Sequence, residues 1–437
     1  MNDKQLLCVE RAYVFMPNAY VIMKVNLLGN PSKDIVKDAI IKSINTNEIL
    51  KCKIVIKNNG QVVYEKMDRA KISFTVSNKH WGEIIKEQEK IRYRIEDGEL
   101  IRFFFIQSEY GTELLIISHH LAGDGKSITI LLEDILKAMN GKKLRNKTLN
   151  VLQTKDIFEK CKLSLPLRLY INHINQKWIK CNKRFSFLEA NEVFGNYWKD
   201  KEPILLTNEF NETETKEIID RCKDMDISVN SYLMTMILRS YNKNANIGFA
   251  IDIRNKNQIS MGNYASGANF KYKYDFNKSF EDNAKCVNDI SKKLISSYKK
   301  RLFMIQVMAT IDGSLLDSAC VEAYTNFSSK ISRGLCHLIG YDGNPRDLST
   351  SNLKDVTINE EYGAYSMDHL LFIPPVIPCG KRLFGIVTFN DKLSFTMQYM
   401  NDNDVNESLI FRKAIKYIKE DINVGDYLYP HQNVQTS

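Results

Sequence analysis

The ten residues from Ser118 to Ser127, S-H-H-L-A-G-D-G-K-S, bring together two adjacent imidazoles, a carboxylate between two glycines, and a lysine next to a serine. Several chemistries compete for them. Gly125-Lys126-Ser127 has the ending of a phosphate-binding loop. G-x-x-x-x-G-K-[ST] needs glycine at position 120, however, and His120 stands there, so nucleotide binding fails. Two histidines and Asp124 could begin a metal site. Adjacent histidines point to opposite faces if the strand continues through them, and no other His/Cys cluster supplies the missing ligands, so no metal is expected. There is no G-x-S-x-G for a serine hydrolase and no local cysteine–histidine pairing for a thiol nucleophile.

The arrangement that uses every residue is H-H-x-x-x-D-G, formed by His119, His120, Asp124 and Gly125. It resembles the motif of the chloramphenicol-acetyltransferase-like acyltransferase superfamily, which includes condensation domains of peptide synthetases, alcohol acetyltransferases, polyketide-associated acyltransferases and plant BAHD enzymes. Histidine occurs seven times in 437 residues, so the pair followed at this distance by Asp-Gly is specific. The resemblance continues through Asp252-Ile253-Arg254, Met261-Gly262-Asn263-Tyr264, Ser351-Asn352-Leu353 and the Phe389-Asn390-Asp391-Lys392-Leu393 turn. Lys354 stands where the family's Ser-Asn-Leu element has glycine, and no D-F-G-W-G element supports a plant-type enzyme.

What the resemblance implies is an α/β (α+β) protein of two chloramphenicol-acetyltransferase-like subdomains. Each is a mixed sheet packed with helices, and the two form a V-shaped pseudo-dimer with a tunnel between them. It implies an acyltransferase, moving acyl groups other than aminoacyl groups from a thioester to a hydroxyl or amine by direct attack. Such transfer needs a base beside the acceptor's proton, and an imidazole with an unperturbed pKa of ~6.5 suits neutral pH. By resemblance His120 is that base. Backbone N–H groups at Gly125, at a helix start, could hold the developing oxyanion. His119, Asp124 and Arg254 are expected to be structural at the site, with Asp124 and Arg254 paired by resemblance. Ser351 and Asn352 are substrate-binding candidates on the same ground. No resident cofactor is expected. The donor is acyl-CoA, with a phosphopantetheinyl thioester on a carrier protein as the alternative, in which case the chain is a stand-alone condensation domain. A degenerate binding domain and a glycerolipid acyltransferase, through His119-x-x-x-x-Asp124, are further alternatives, the latter opposed by the lack of a second Gly-Thr-Arg-like block.

The elements needed to position these residues are legible in the apolar pattern. Ala19–Leu28 reads as a strand, Pro31 opens a helix through Ile44, and Asn58-Asn59-Gly60 turns a hairpin. A helix over Trp81–Ile95 and a hairpin of Arg102–Gln107 with Glu113–Ser118 follow. The second hairpin strand runs into the histidines, and Gly125–Met139 is a helix. Beyond residue 185 a new alternation begins: strands at Ile204–Phe210 and Gly248–Ile253, helices at Thr213–Lys223, Asn230–Tyr241, Phe280–Lys299 and Met304–Tyr324. Strands at Asp355–Ile358, His369–Phe372, Leu383–Phe389 and Lys392–Tyr399 and a helix over Glu407–Glu420 complete it. The expected division is 1–185, carrying the motif and a basic connector, and 186–437, completing the tunnel.

Composition sets the frame. With 44% hydrophobic and 10% aromatic residues the chain can bury a sizeable core, which excludes a disordered or collagen-like protein. The net charge of +9 comes from residues 142–185, where twelve basic residues face Asp156 and Glu159. Nucleic acid is therefore not the expected partner. The segment reads as a solvated connector whose Ile171, Ile174 and Trp178 pack on the domain junction, as a docking surface for an acidic partner, or as a membrane-surface helix. Nine cysteines without a C-x-x-C pair suggest buried thiols in a reducing cytoplasm. No run approaches the ~18 apolar residues of a membrane span, and neither a carrier domain nor room for an adenylating domain is seen, so a cytoplasmic, free-standing enzyme is expected, as a monomer. The remaining histidines, His80, His173, His337, His369 and His431, are expected at the surface or in packing.

Overall fold

The computed structural model describes residues 4–422 apart from 109–110, 155–156, 158–161, 256–257, 340, 342–345, 359–361 and 402–406. Glu109 and Tyr110 of the expected turn, Lys155, Asp156, Glu159 and Lys160 of the connector, and His431 lie outside the described residues.

A short strand β1 (Lys4–Leu6) precedes β2 (Tyr20–Leu28), whose apolar run is buried almost throughout. Helix α1 (Lys33–Thr46) starts two residues later than Pro31 suggests, because Ser32 is the cap and its hydroxyl accepts from the Ile35 N–H at 3.3 Å. The hairpin of β3 (Cys52–Ile56) and β4 (Val62–Lys66) turns at Asn58-Asn59-Gly60. Next come β5 (Ser73–Ser77), α2 (Trp81–Glu89), β6 (Ile101–Ser108) and β7 (Gly111–His119), then α3 (Gly125–Met139). The second part supplies β8 (Pro203–Phe210), β9 (Ala245–Asp252), β10 (Ala265–Tyr272), β11 (Leu348–Asp355), β12 (Ser366–Ile373), β13 (Arg382–Phe389) and β14 (Lys392–Met400).

These strands form mixed sheets. One has the order β12-β2-β7-β6-β5, antiparallel except for the β5–β6 pair. Another has the order β10-β9-β11-β13-β14-β8, in which β11 runs parallel to both of its neighbours. The small sheet β1-β4-β3 stands apart. The five-stranded sheet, α1 and α3 share one apolar core, with Val36, Ile40, Ile116, Leu131 and Ile135 all shielded from water. The six-stranded sheet and the helices Glu212–Asp224, Val229–Tyr241 and Glu407–Asp421 share another, around Ile218, Met234, Phe384, Phe395 and Ala414.

Strand β12 joins the two layers. It lies beyond residue 185 yet pairs antiparallel with β2, forming the edge of the sheet that carries the histidines. Its carbonyl at Phe372 accepts from Thr396 Oγ1 at 2.8 Å, on β14 of the other sheet. That approach explains Gly385 on β13, where a Cβ would fall 2.3 Å from the Phe372 oxygen.

Several expected boundaries move. The helix expected over Trp81–Ile95 stops at Glu89, and Ile95–Asp97 is a separate 3-10 turn closed by Gly98 at φ 80°. The helix expected over Met304–Tyr324 is two, Phe303–Thr310 and Gly313–Tyr324, bent by 100° where Asp312 caps the second. Phe280–Lys299 likewise breaks at Ser297. The strand placed at Asp355–Ile358 is β11, seven residues earlier, so Ser351 and Asn352 sit in a strand. Cys181 and Cys286 are exposed, against the expectation of buried thiols. Among the described residues no single helix is long and apolar enough to cross a membrane, and no cluster of three metal-ligating side chains occurs.

Candidate active site

Strand β7 ends on His119, and four residues turn the chain before Asp124 caps α3. The turn closes on itself through Ala122 N to the His119 oxygen (2.8 Å) and Gly123 N to the His120 oxygen (3.2 Å). Gly123 has φ 145°, and a Cβ there would lie 2.4 Å from that of Ser127, so only glycine fits. The two imidazoles meet different neighbours, Tyr20 and Tyr93 at His119 and Tyr13 at His120.

His119 faces inward. It is buried between Tyr20 and Tyr93, with ring centroids 5.9 Å from each, and its Nδ1 accepts the Leu121 N–H at 3.1 Å. Burial, with the charges of His120, Arg92 and Arg102 added, pushes its pKa down to about 3, so it is neutral. The space beside it is about 20 Å³, room for one water and not for a substrate.

His120 is partly open. Its ring stacks on Tyr13 at 4.5 Å between centroids and 9° between planes, while its backbone N–H donates to the Ala19 oxygen at 2.8 Å. Its Nδ1 is buried and has no hydrogen-bond partner. Burial lowers its pKa to about 4, opposed by the nearby Asp124 charge. Tyr13 in turn hydrogen-bonds Asn263, and burial raises its own pKa to about 12.

Asp124 and Arg254 meet in a two-pronged pair, Nη1 to Oδ2 at 2.8 Å and Nη2 to Oδ1 at 2.5 Å, with both side chains under 10% exposed. The same carboxylate accepts from the Ser127 N–H (3.1 Å) and the Tyr264 N–H (2.9 Å). Ser127 Oγ joins this knot: it accepts from Arg254 Nη2 (2.8 Å) and the Gly262 N–H (3.0 Å) and lies 2.7 Å from the Gly262 oxygen. Arg254 stays charged, since the Asp124 carboxylate outweighs the cost of burial. A cavity of about 200 Å³ adjoins, lined in part by Asn150, Ile253, Gln258, Tyr264 and Arg301.

The N–H of Gly125 donates no hydrogen bond among the described residues, but a Cβ at this position would meet Leu353 at 2.7 Å and Phe372 at 3.0 Å. Strands β11 and β12 thus close over the start of α3. Asn352 Oδ1 accepts from the Lys354 N–H at 2.6 Å, holding a bulge in which Lys354 has φ 64°. That places Asn352 in local backbone architecture, with Ser351 paired in register to Gly385. The structure therefore brings His119, His120, Asp124, Gly125 and Arg254 together, and sets Ser351 and Asn352 one strand back. Sequence reasoning missed Tyr13, and quoted Ser127 and Tyr264 in the motifs without giving either a role. Ser127 lay in the motif as the N3 partner of a capping aspartate, whereas nothing local in Glu10-Arg11-Ala12-Tyr13 announces a ring against His120.

Residues 15–160 match the family model of the condensation domain. A hybrid PKS-NRPS synthetase of Xenoacremonium sinensis is 40% identical over 74 residues, which make up 17% of this chain and 2% of that protein. The polyketide synthase associated protein 5 of Mycobacterium tuberculosis superposes with a TM-score of 0.61 at 12% identity, covering 97% of each chain. The first condensation domain of the calcium-dependent antibiotic synthetase, bound to a substrate analogue, gives 0.63 at 10% identity, covering 96% of this chain and 95% of that one. The trichothecene 15-O-acetyltransferase of Fusarium sporotrichioides gives 0.61 at 9% identity over 95% of each. Acyl transfer or condensation is the function that the family match supports, and it agrees with this fold. The chain thus has the fold that condensation domains share with acyltransferases of the chloramphenicol-acetyltransferase type, and the segment that bears the paired histidines matches the condensation-domain family.

Proposed function

We propose that the protein transfers an acyl group from acyl-CoA to a hydroxyl or amine acceptor, with His120 as general base. The observation that carries this is the contrast between the two imidazoles: His119 is walled in by tyrosines, while His120 is partly open and fixed flat against Tyr13. Because Nδ1 of His120 is buried without a partner, Nε2 is the nitrogen an incoming group would reach. With its pKa held low, the ring is unprotonated at neutral pH and ready to accept a proton. The acceptor's O–H or N–H proton passes to His120 as its oxygen or nitrogen bonds to the thioester carbon. The carbonyl electrons return as the C–S bond breaks, and the thiolate takes the proton from the imidazolium. The free N–H of Gly125, at the positive end of α3, is the donor we assign to the transient oxyanion. Asp124, with all its contacts taken by Arg254, Ser127 and Tyr264, holds the loop and moves no proton.

A carrier-bound thioester is the second reading, favoured by the match of residues 15–160 to condensation domains. Thiol release from a panel of acyl-CoAs, with and without alcohol and amine acceptors, tests the first. The same panel on a phosphopantetheinylated carrier tests the second. Acceptor-dependent release from CoA that His120→Ala abolishes supports the proposal. Release from neither donor leaves the chain a non-catalytic domain.

A further inference from the structure

The helix Leu165–Cys181 of the basic connector has two faces of unlike character. Ile171 and Trp178 are buried, and this side is pinned: Trp178 Nε1 donates to Ser314 Oγ at 2.8 Å, and Asn175 Nδ2 to the Thr310 oxygen at 2.9 Å. At 100° per residue Leu165, Leu169, His173, Gln176 and Lys180 lie on the side away from Ile171 and Trp178, with Asn172 and Ile179 on its flank. Leu165, Leu169 and Ile179 are 58%, 60% and 63% exposed, and Tyr170, on the flank beside Lys177, is 59% exposed. No Asp or Glu occurs from Lys162 to Leu188. Lys162, Lys177, Lys180 and Lys183 are exposed, and none makes an ion pair among the described residues.

We propose that this helix docks the protein on an anionic membrane surface, lying in the plane of the interface. Bare aliphatic side chains on the outer side and flank of a helix, with ammonium groups near them and no carboxylate in the segment to repel phosphate, are what such a surface takes up. The aliphatic tips enter the acyl boundary, the lysine stems reach back to the headgroups, and the Tyr170 ring sits at the level between. An acidic protein would answer the lysines but would leave three large aliphatic residues unexplained. The inference does not depend on the acyltransferase reading.

Flotation of the full chain with phosphatidylcholine vesicles, and with vesicles of about one-third phosphatidylglycerol, provides the test. Binding is expected to the anionic vesicles and not to the neutral ones. Lys177→Gln, Lys180→Gln and Lys183→Gln should each weaken it about fivefold. Leu165→Ser with Leu169→Ser and Ile179→Ser should weaken it at least tenfold with the charge unchanged. Far-UV circular dichroism melts confirm folding, and the single Leu169→Ser substitution, expected to give a smaller loss, serves if the triple variant does not fold. Wild-type protein that stays off anionic vesicles at low salt overturns the proposal. So does serine-substituted protein that binds as wild type does, which would mean adhesion by charge alone. A dimer dissolved by the serine substitutions, or an acidic carrier protein bound through the lysines while vesicles are ignored, would assign the face to another occupant and overturn it as well.

Discussion

Two imidazoles one residue apart end in opposite surroundings, and mutation should separate them. His120→Ala should lower kcat by roughly 10²–10⁴-fold with the melting temperature nearly unchanged, since the ring is partly open and its Nδ1 bonds nothing. His119→Ala should cost stability first, by emptying a buried space between Tyr20 and Tyr93. Steady-state kinetics beside thermal melts reads the difference. The depressed pKa of His120 adds a sign: the base is lost only as pH falls toward about 4, so the acid limb of kcat/KM should lie well below 6.5. The carboxylate prediction is energetic. Asp124→Asn and Arg254→Leu each leave a buried charge or fork without its partner, at a cost of about 3–5 kcal/mol. The double variant should cost less than the sum, measured by denaturant unfolding. The histidines and Asp124 were legible because the motif is short and contiguous. Tyr13 was not, since its contact spans more than a hundred residues and rests on how the segment before β2 folds back.

Elements with an uninterrupted pattern were legible almost to the residue: α3, β7 and the β13–β14 hairpin all fall where the periodicity put them. Those that break were not. The bend before Gly313 depends on the Asp312 side chain accepting from Ser314 and Leu315, which an apolar run through Met304–Tyr324 conceals. Edge strands β5 and β10 expose too much of their length to show a clear pattern, and went unread. The bulge in β11 gives a prediction at this scale. Lys354 holds φ 64°, a conformation that side chains with a Cβ adopt at a cost of about 1 kcal/mol. Lys354→Gly should raise stability by about 0.5–1 kcal/mol in chemical denaturation, leaving the Asn352 hydrogen bond in place.

Across the whole molecule the two sheets are coupled by buried groups that titrate. Glu89 of α2 is fully enclosed, accepts from Gln398 on β14 at 2.7 Å, and has one oxygen without a partner. Burial raises its pKa to about 7, against the Gln398 hydrogen bond. A carboxyl raised on folding supports the folded state fully below about pH 4.5, and that support declines as pH climbs to about 7. Glu89→Gln removes the titration, so it should match wild type near pH 4.5 and exceed it at pH 8 by up to about 3 kcal/mol. Thermal melts across that range check it. The destination of Ser366–Ile373 was not legible, because a strand's partner is a matter of topology and not of local composition. That strand has a consequence for the chain as it is made. When His119 leaves the ribosome, β2 can pair with β7, yet its other edge, nine residues long and mostly apolar, stays open until Ile373 is synthesised. At about 5–20 residues per second that exposure lasts roughly 10–50 s. Lys24, in the middle of β2 and bound to Glu113 at 2.7 Å, is the one charge on that edge to discourage a neighbouring nascent chain from taking the vacant place. The arrival of β12 closes that edge, so the crossover strand fixes when β2 is covered as well as linking the two sheets.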